Sequence, residues 1–195
     1  MKPEVLVLLS GGIDSTACLN FFLEMGRPTC CMFINYGQSA VQNEIRSAKA
    51  IADYYSVDLL STKWKGINNK STGLINGRNS FLLSAALMER PETISVIAIG
   101  IHSGTNYPDC STKFLQNMQS IVDLYDSCKV HLSAPFVSFG KGEILSYCIE
   151  KKIPLELTYS CEKGGETPCG ECLSCKDREI LNAREKKNNN PSNDR

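Results

Sequence analysis

The sequence predicts an α/β protein in which helices cover both faces of a parallel β-sheet, a three-layer sandwich. Short apolar runs of strand length alternate with longer segments in which apolar residues recur at helical spacing. The first run, residues 5–9, passes through the turn Ser10-Gly11-Gly12 directly into such a helical segment. Because alternating strands and helices are joined by crossover connections, the strands are expected to lie parallel in one sheet.

The first half of the chain contains three predicted strands. Its elements are, in order, a strand at 5–9, a helix at 13–25 that ends before Gly26, a strand at 29–34, an amphipathic helix at 40–55 and a short strand at 58–63. Residues 64–78 are polar and rich in Gly, Asn and Lys. This stretch predicts a surface loop.

The second half continues the alternation and then becomes rich in cysteine. Its elements are a helix at 80–89, a strand at 94–101, a helix at 113–125, a strand at 130–135 and a helix at 141–151. Residues 184–195 contain three consecutive Asn and a Pro but no large apolar side chain, which predicts a disordered tail. Residues 1–180 are expected to form a single domain, including a metal-binding segment at 158–178.

The overall charge is balanced, with 21 Lys and Arg against 21 Asp and Glu. A chain without a basic excess is not expected to bind nucleic acid through a charged surface. No apolar run is long enough for a bilayer or for a secretory leader, so the sequence predicts a cytoplasmic protein without membrane contact. Of ten cysteines, four crowd into residues 161–175 and the others are scattered, which favours a metal site over disulfides.

The glycine turn is the first candidate site. Ser10-Gly11-Gly12-Ile13-Asp14-Ser15 joins a buried strand to a helix, so backbone N–H groups and the positive helix end point at one spot. We expect the two glycines to adopt angles forbidden to other residues and the two serines to add hydroxyl donors. Asp14 is available to hold Mg²⁺ or to cap the helix, and an ordinary capped turn is the alternative interpretation.

The same six residues match the S-G-G-x-D-S signature of the PP-loop pyrophosphatases, which cleave ATP to AMP and pyrophosphate. A Gly-Lys-Ser/Thr ending is missing, which excludes the phosphate loop of kinases and GTPases. The resemblance implies the adenine nucleotide alpha hydrolase-like PP-loop fold. It also implies that the nucleotide is cradled by Leu9, Ser10, Gly11, Gly12, Ile13, Asp14, Ser15, Thr16, Ala17, Cys18 and Leu19.

The cysteine cluster is the second candidate site. Cys161, Cys169, Cys172 and Cys175 have the spacing C-x7-C-x2-C-x2-C, which suits one tetrahedral Zn²⁺ per chain in a closed, structural site. An iron–sulfur cluster, a redox Cys-x-x-Cys pair and unrelated buried thiols are the alternatives. Four thiolates carry more charge than the metal neutralises, and the nearby cations Lys163, Lys176 and Arg178 are expected to offset the surplus.

Further segments narrow the resemblance to one family. These are Asn35-Tyr36-Gly37-Gln38, Gly77-Arg78-Asn79 with Phe81-Leu82, Tyr107-Pro108-Asp109-Cys110, Lys141-Gly142-Glu143-Ile144, and the cysteine-rich stretch 158–178. In this order they resemble the 7-cyano-7-deazaguanine synthase family over residues 4–180. The resemblance implies a homodimeric ligase that uses ATP, Mg²⁺ and ammonia to turn 7-carboxy-7-deazaguanine into the nitrile, a step of queuosine precursor synthesis.

The resemblance also assigns roles to single residues. Asp14, Lys141 and Arg78 are the catalytic candidates, since cations can neutralise charge on the departing pyrophosphate. The candidates for acceptor binding are Tyr36, Gln38, Arg78, Asn79, His102, Tyr107 and Asp109. Asp109 and Tyr107 are expected to meet a guanine-like ring, by hydrogen bonding and by stacking respectively. His102 is of interest because it follows a strand, whereas His131 lies within one.

The chain departs from the family pattern near the expected acceptor site. Asn35 and Ser111 replace residues that are usually charged, Glu162 replaces a common tyrosine, and the loop 100–106 is altered. An alternative function is therefore a repurposed relative, for example in antiviral defence, that transfers an adenylated deazaguanine carboxylate to an amine of a partner protein. A PP-loop enzyme that modifies tRNA is a second alternative, and an inert zinc-binding scaffold is a third.

Overall fold

The structure, a computed structural model, describes residues 2–65, 75–105, 107–126, 129–165 and 167–188. Within them the strands are β1 (Val5–Leu8), β2 (Thr29–Asn35), β3 (Leu59–Lys63), β4 (Val96–Ile99) and β5 (His131–Ser133). The α-helices are α1 (Ile13–Glu24), α2 (Val41–Tyr55), α3 (Arg78–Glu89), α4 (Thr112–Asp126), α5 (Lys141–Glu150) and α6 (Leu173–Asn188), and a 3-10 helix covers Leu155–Leu157.

The five strands form one parallel sheet in the order β3-β2-β1-β4-β5. β1 lies at its centre, where Val5 pairs with Thr29 on one side and with Val96 on the other. The chain runs outward from β1 through β2 to β3 and then returns to the other side of β1. Such a reversal of strand order leaves a crevice beyond the carboxyl ends of the central strands, where ligands bind in this class of fold.

Alternate residues of the strands face two separate hydrophobic cores. Val5, Val7 and Leu9 belong to the core shared with α1, α2 and α5, whereas Leu6 and Leu8 belong to the core shared with α3 and α4. Strands that are apolar on both faces require cover on both faces. The predicted three-layer parallel sandwich is therefore confirmed.

The ends of several elements differ from the prediction. β4 and β5 are shorter than the apolar runs at 94–101 and 130–135, because Ile101 and Ala134 lie beyond the paired residues yet still pack in the core. α3 begins at Arg78, two residues early, because Gly77 adopts a left-handed conformation just before it. Of the loop predicted at 64–78, residues 66–74 lie outside the described residues.

The sequence missed helix α6, which begins inside the cysteine-rich segment. Its helix extends to Asn188, so residues 184–188, predicted to belong to a disordered tail, are helical. Ala, Glu and Lys favour helix strongly enough to continue a helix whose first turn is anchored elsewhere. Residues 189–195 lie outside the described residues. No helix among the residues described above has the length and apolar character needed to cross a membrane.

Candidate active site and metal centre

A cavity of about 300 Å³ opens beyond the carboxyl ends of β1, β2 and β4. Its floor is the glycine turn after β1, and the C-terminal cysteine-rich segment forms part of its wall. The predicted site residues that line it are Leu9, Ser10, Gly12, Ile13, Asp14, Ser15, Tyr36, Gln38, Arg78, Asn79, His102, Tyr107 and Lys141. The structure thus brings together most of the residues singled out from the sequence.

The two glycines of the turn have different roles. Gly11 has φ +83°, and a Cβ on it would lie 2.6 Å from the carbonyl oxygen of Glu44 in α2. Gly12 has φ −86°, an angle open to any residue, so the expectation that both glycines need special angles is wrong for this one. The nearest atom to a Cβ on Gly12 is the Ser10 hydroxyl oxygen at 3.5 Å. Only ligand access therefore requires glycine at position 12.

Hydroxyl groups stabilise the turn around the start of α1. Ser15 and Thr16 both donate to the carbonyl oxygen of Gly12, at 3.0 and 2.8 Å, and Ser10 Oγ lies 3.1 Å from Ser15 Oγ. The amides of the first helical turn have no acceptor within the helix. Together with the positive end of α1, they form an environment suited to phosphate oxygens.

The later residues assigned to the nucleotide cradle do not reach the cavity. Thr16, Ala17, Cys18 and Leu19 are fully buried, and the last three pack in the core against the sheet. Burial raises the pKa of the Cys18 thiol far above its ordinary value, so it stays protonated. These residues therefore support the turn from behind.

Asp14 and Lys141 form the charged centre of the cavity. Lys141 Nζ lies 3.2 Å from both carboxylate oxygens of Asp14 and 3.6 Å from Oδ2 of Asp177. The Nε2 atom of His102 lies 3.6 Å from Asp14 Oδ2. Four elements thus converge here: α1, the loop after β4, α5 and α6. The arrangement can hold a phosphate chain together with a cation.

The pKa of Asp14 is lowered from its ordinary value of 3.8. Burial acts in the opposite direction, but it is outweighed by the N–H of His102 and the ammonium group of Lys141. Asp14 is consequently an anion throughout the physiological range. A carboxylate in this state is a suitable ligand for Mg²⁺, which prefers one or two carboxylates together with phosphate oxygens.

A second group of polar side chains surrounds the end of β2. Gln38 is buried and its amide is fully used inside the protein, since Oε1 accepts from the amide of Tyr36 and Nε2 donates to Glu44 Oε2 at 2.8 Å. Glu44 lines the cavity, and burial raises its pKa despite the bond from Gln38 and the charge of Arg78. Arg78 also hydrogen-bonds the Tyr36 hydroxyl.

Asn79 and Asp109 hold two loops together. Asn79 is buried and donates from Nδ2 to the carbonyl oxygen of Asp109 at 3.0 Å. The amide of Asn79, in the first turn of α3, donates to Asp109 Oδ2 at 3.3 Å. Asp109 therefore caps α3 and does not line the cavity, contrary to the role expected for it. Its other oxygen, Oδ1, is buried and has no hydrogen-bond partner among the residues that the structure describes.

The departures from the family pattern lie partly in the cavity wall, which includes Gly100, Ile101, His102 and Thr105 of the altered loop, and partly in nearby turns. Asn35 Oδ1 accepts from the amide of Gly37, which stabilises the turn after β2. Ser111 Oγ accepts from the amide of Phe114 and thereby caps α4. Of the three substituted positions, Glu162 lines the cavity, where it accepts from Ser174 Oγ. In the altered loop, position 106 lies outside the described residues.

The four cysteines meet as predicted. The Sγ atoms of Cys161, Cys169, Cys172 and Cys175 lie within 4.8 Å of one another. Backbone amides donate to two of the sulfur atoms, from Cys169 to Cys161 and from Cys172 to Cys169, both at 3.4 Å. Hydrogen bonds from the amides of Cys172 and Glu171 lower the pKa of Cys169 to about 6. These hydrogen bonds favour the thiolate of Cys169, the form that binds metal, whereas burial raises the pKa of Cys175 to about 12.

Two of the three cations expected to offset the charge of the cysteines, Lys163 and Arg178, make contacts with other groups. Lys163 pairs with Glu171 at 2.8 Å, which raises its own pKa. Arg178 donates to Thr158 Oγ1 and to the carbonyl oxygen of Leu155, so it fastens α6 to the preceding segment. The sequence did not predict that Arg178 fastens α6 in this way. The backbone amides that donate to Cys161 and Cys169 supply part of the charge stabilisation that was expected from these side chains.

The cysteine cluster is attached to the glycine turn. The amide of Tyr159 donates to the carbonyl oxygen of Gly11 at 2.9 Å, and Ser39 Oγ donates to that of Glu162 at 2.7 Å. Asn43 Nδ2 donates to the carbonyl oxygen of Gly165 at 2.9 Å. As a result the segment closes one side of the cavity.

Sequence reasoning missed several residues of the cavity wall. They are Glu44, Tyr159, Ser160, Glu162, Leu173, Ser174 and Asp177. Glu44 carried only a weak signal, because it is one of several polar residues in an amphipathic helix. Asp177 carried a stronger one, since it follows the last cysteine of a cluster expected near the active site.

The fold and the site define a PP-loop-type α/β protein with a four-cysteine centre. Two solved structures share this fold. The U34-tRNA thiolase NcsA from Methanococcus maripaludis, solved with its [4Fe-4S] cluster, has a TM-score of 0.52 and 20% identity over 96% of this chain and 67% of its own. The NMN synthetase from Francisella tularensis has a TM-score of 0.51 and 13% identity over 95% and 78%.

Sequence comparison identifies the family. The family described as Queuosine biosynthesis protein QueC matches residues 4–73 and 65–183. The 7-cyano-7-deazaguanine synthase of Desulfitobacterium hafniense (strain DSM 10664 / DCB-2) is 36% identical over 90% of this chain and 86% of its own. The enzyme of that name from Sulfurimonas denitrificans is 31% identical over 90% of both. The chain belongs to the QueC family of queuosine biosynthesis proteins.

Proposed function

We propose that this protein uses ATP and ammonia to convert 7-carboxy-7-deazaguanine into 7-cyano-7-deazaguanine, with release of pyrophosphate and AMP. The observation that carries the proposal is the Asp14–Lys141 pair at the glycine turn, in a chain whose relatives are named for this product. The pair lies in a cavity where phosphate, a cation and an acceptor can meet.

The reaction requires two activations. A carboxylate oxygen of the substrate attacks the α-phosphorus of ATP, the α–β bond breaks, and an acyl-adenylate and pyrophosphate form. Ammonia then displaces AMP to give the amide. The amide oxygen is adenylated by a second ATP, and loss of AMP and protons leaves the nitrile. In both activations negative charge grows on the departing pyrophosphate, which a fixed cation stabilises.

Different residues of the cavity bind the phosphates, neutralise the departing pyrophosphate and hold the metal ion. The amides of Gly12 and of the first turn of α1 hold the phosphates, and Lys141 moves from Asp14 to the departing pyrophosphate. Asp14 suits Mg²⁺ because it is ionised and faces the cavity, and the ion would screen the phosphate charge when bound.

Recognition of the acceptor falls to the residues around the end of β2 and the loop after β4. Arg78 and Tyr107 line the cavity and retain the roles expected for them. Asp109 caps a helix instead, so we assign the donor edge of the guanine-like ring to Glu44. The departures at Asn35 and Ser111 stabilise local turns and do not line the cavity, whereas Glu162 and residues of the loop 100–105 do. We favour the synthase over a relative with a protein acceptor because relatives that align with 90% of this chain carry the synthase name.

We further propose that the four cysteines hold one structural Zn²⁺. A tetrahedral ion with Zn–S bonds of about 2.3 Å places its sulfur atoms about 3.8 Å apart. Cys169 Sγ and Cys175 Sγ are 3.9 Å apart, and all four sulfur atoms lie within 4.8 Å. An iron–sulfur cluster needs room for several ions between the thiolates. The predicted result of metal analysis is about one zinc per chain in a colourless protein; a brown, sulfide-containing protein would refute the assignment.

Pyrophosphate release in the presence of 7-carboxy-7-deazaguanine, Mg-ATP and ammonium tests the proposed function. Lys141→Ala is expected to reduce the rate at least about 100-fold, the loss typical of a preorganised charge at a reacting group. Lys151→Ala is the matched control, since Lys151 is an α5 neighbour that pairs with Glu24 at the surface. Equal rates for both variants would remove Lys141 from the mechanism. The homodimer implied by the family resemblance is tested by sedimentation of the same samples.

A further inference from the structure

His102 has one tautomer in this structure. Its imidazole is 4% exposed, and its Nδ1 accepts a hydrogen bond from the amide of Gly104 at 3.0 Å. An accepting nitrogen carries no proton, so the proton of the neutral ring lies on Nε2. A Cβ on Gly104 would approach Nδ1 to 2.8 Å, which means that glycine is needed for this contact. The ring is consequently held with its N–H directed toward Asp14.

The Nε2–H of His102 makes only a long contact with its partner Asp14. Nε2 lies 3.6 Å from Asp14 Oδ2, too far for a full hydrogen bond, while Lys141 lies 3.2 Å from both Asp14 oxygens. Asp177 lies 3.6 Å from Lys141 Nζ on the other side. The lysine is therefore shared between two carboxylates and is free to move toward a third anion.

Binding of ATP would change the charges that surround the Asp14 carboxylate. The triphosphate attracts the Lys141 ammonium, and Asp14 then loses the cation that held both its oxygens. Asp14 would supply one carboxylate oxygen to a Mg²⁺ ion, which proteins usually bind through one or two carboxylates together with substrate phosphates. A carboxylate that rotates freely would have to be ordered at that step. A fixed donor on one oxygen removes this cost by keeping the other oxygen directed at the ion.

We propose that His102 is a positioning residue for Asp14: its Nε2–H holds Oδ2, so that Oδ1 faces Mg²⁺ when Lys141 turns to the phosphates. The proposal rests on the ATP chemistry proposed above but not on the identity of the acceptor. His102 acts through Asp14 and needs no contact with the reacting atoms. Its signal in the sequence was its position at the end of a strand in this class of fold.

Two substitutions separate the positioning role from a purely structural one. His102→Asn keeps an oxygen near the place of Nδ1, so it can accept from Gly104, but it has no donor that reaches Asp14. His102→Gln places an amide nitrogen near the position of Nε2 and gives up the contact with Gly104. His131→Asn, at the exposed residue that begins β5, is the control. Titration calorimetry measures ATP binding to each variant with Mg²⁺ and in buffer without added Mg²⁺, free of chelator so that the metal of the cysteine cluster is retained.

We expect Mg²⁺ to strengthen ATP binding to the wild-type protein and to the His131→Asn control equally. In His102→Asn this enhancement falls about tenfold, the lower end of the loss seen when a partner of a metal ligand is removed. In His102→Gln it stays within about threefold of the wild-type value, and binding without Mg²⁺ is the same in all variants. The reverse order, or no change in either variant, overturns the proposal.

The outcomes are distinguishable from failure of the proposed function. If the wild-type protein shows no enhancement by Mg²⁺, the proposed Mg-ATP chemistry fails and the role of His102 fails with it. If only the acceptor is wrong, these titrations are unaffected. Imidazole ¹⁵N spectra of the wild-type protein give a test without substitution: Nε2 of His102 carries the proton and its signal moves when Mg²⁺ and a non-hydrolysable ATP analogue bind. An Nδ1–H tautomer contradicts the proposal.

Discussion

Three glycines allow the packing and binding roles of the turn to be separated by single substitutions to alanine. Gly26 has φ +67° and open space around its missing Cβ, so Gly26→Ala introduces backbone strain alone. Gly11 has φ +83° and in addition three atoms of α2 within 3.0 Å of a Cβ, among them the Glu44 carbonyl oxygen at 2.6 Å. Gly12 has neither problem, and it lines the cavity.

The structure sets the expected order of stability. A left-handed conformation costs a residue with a Cβ about 1–2 kcal/mol, which is the full effect expected for Gly26→Ala. Gly11→Ala adds the displacement of α2, and overpacking of this kind costs about 1–3 kcal/mol more. A total of about 3 kcal/mol lowers the melting temperature by about 6–12 °C in a chain of this size. Gly12→Ala is expected to change stability by less than about 1 kcal/mol.

Thermal and urea denaturation measure the first effect, and calorimetric titration with Mg-ATP measures the second. We expect Gly12→Ala to fold normally and to lose ATP binding, because its methyl group occupies the space of a phosphate oxygen. Gly26→Ala is expected to bind ATP normally. If Gly12→Ala binds ATP as tightly as the wild-type protein, the turn is not the phosphate site. If Gly11→Ala is as stable as Gly26→Ala, the packing argument is wrong.

Three further predictions concern charge and metal. The lowered pKa of Asp14 stabilises the fold above its ordinary value of 3.8, and the benefit disappears as the pH falls through the folded-state pKa; acid denaturation of Asp14→Asn should lack this component. Burial raises the pKa of Glu44, so its ionisation lowers the stability of the fold as the pH rises above 4.5. In urea denaturation, the free energy of unfolding of Glu44→Gln should therefore increase relative to that of the wild type from pH 4.5 to 7. Removal of the metal by a chelator should weaken Mg-ATP binding, measured by calorimetry, because the cysteine segment is bonded to Gly11; unchanged affinity in metal-free protein would show that the two sites are independent.

The layers of the fold were predictable because the strands are visible in the sequence as continuous apolar runs. Val5, Val7 and their neighbours are buried on both sides of the sheet, which demands continuous apolar runs. Helix α6 was not predictable in the same way, since its residues are mostly polar and its start depends on the cysteines. Its stability comes from contacts such as those of Arg178 with residues distant in sequence.

The candidate site was predictable where a short motif contains its own chemistry. The glycine turn and the four cysteines are such motifs, because a few adjacent residues supply the whole arrangement. Asp109 shows the limit: its carboxylate was expected to meet the substrate but caps α3, a contact between loops thirty residues apart. Residues 16–19 were assigned to the cradle through the family resemblance, but this part of α1 is buried on nearly all sides, so they lie in the protein interior.

The most direct test of the account is mass spectrometry of the products formed from 7-carboxy-7-deazaguanine, Mg-ATP and ammonium, with pyrophosphate followed in parallel. The account predicts 7-cyano-7-deazaguanine, and two pyrophosphates for each nitrile formed. Accumulation of the adenylate or the amide would contradict the proposed second activation and indicate a different acceptor. The absence of both pyrophosphate and product would contradict the choice of substrate itself.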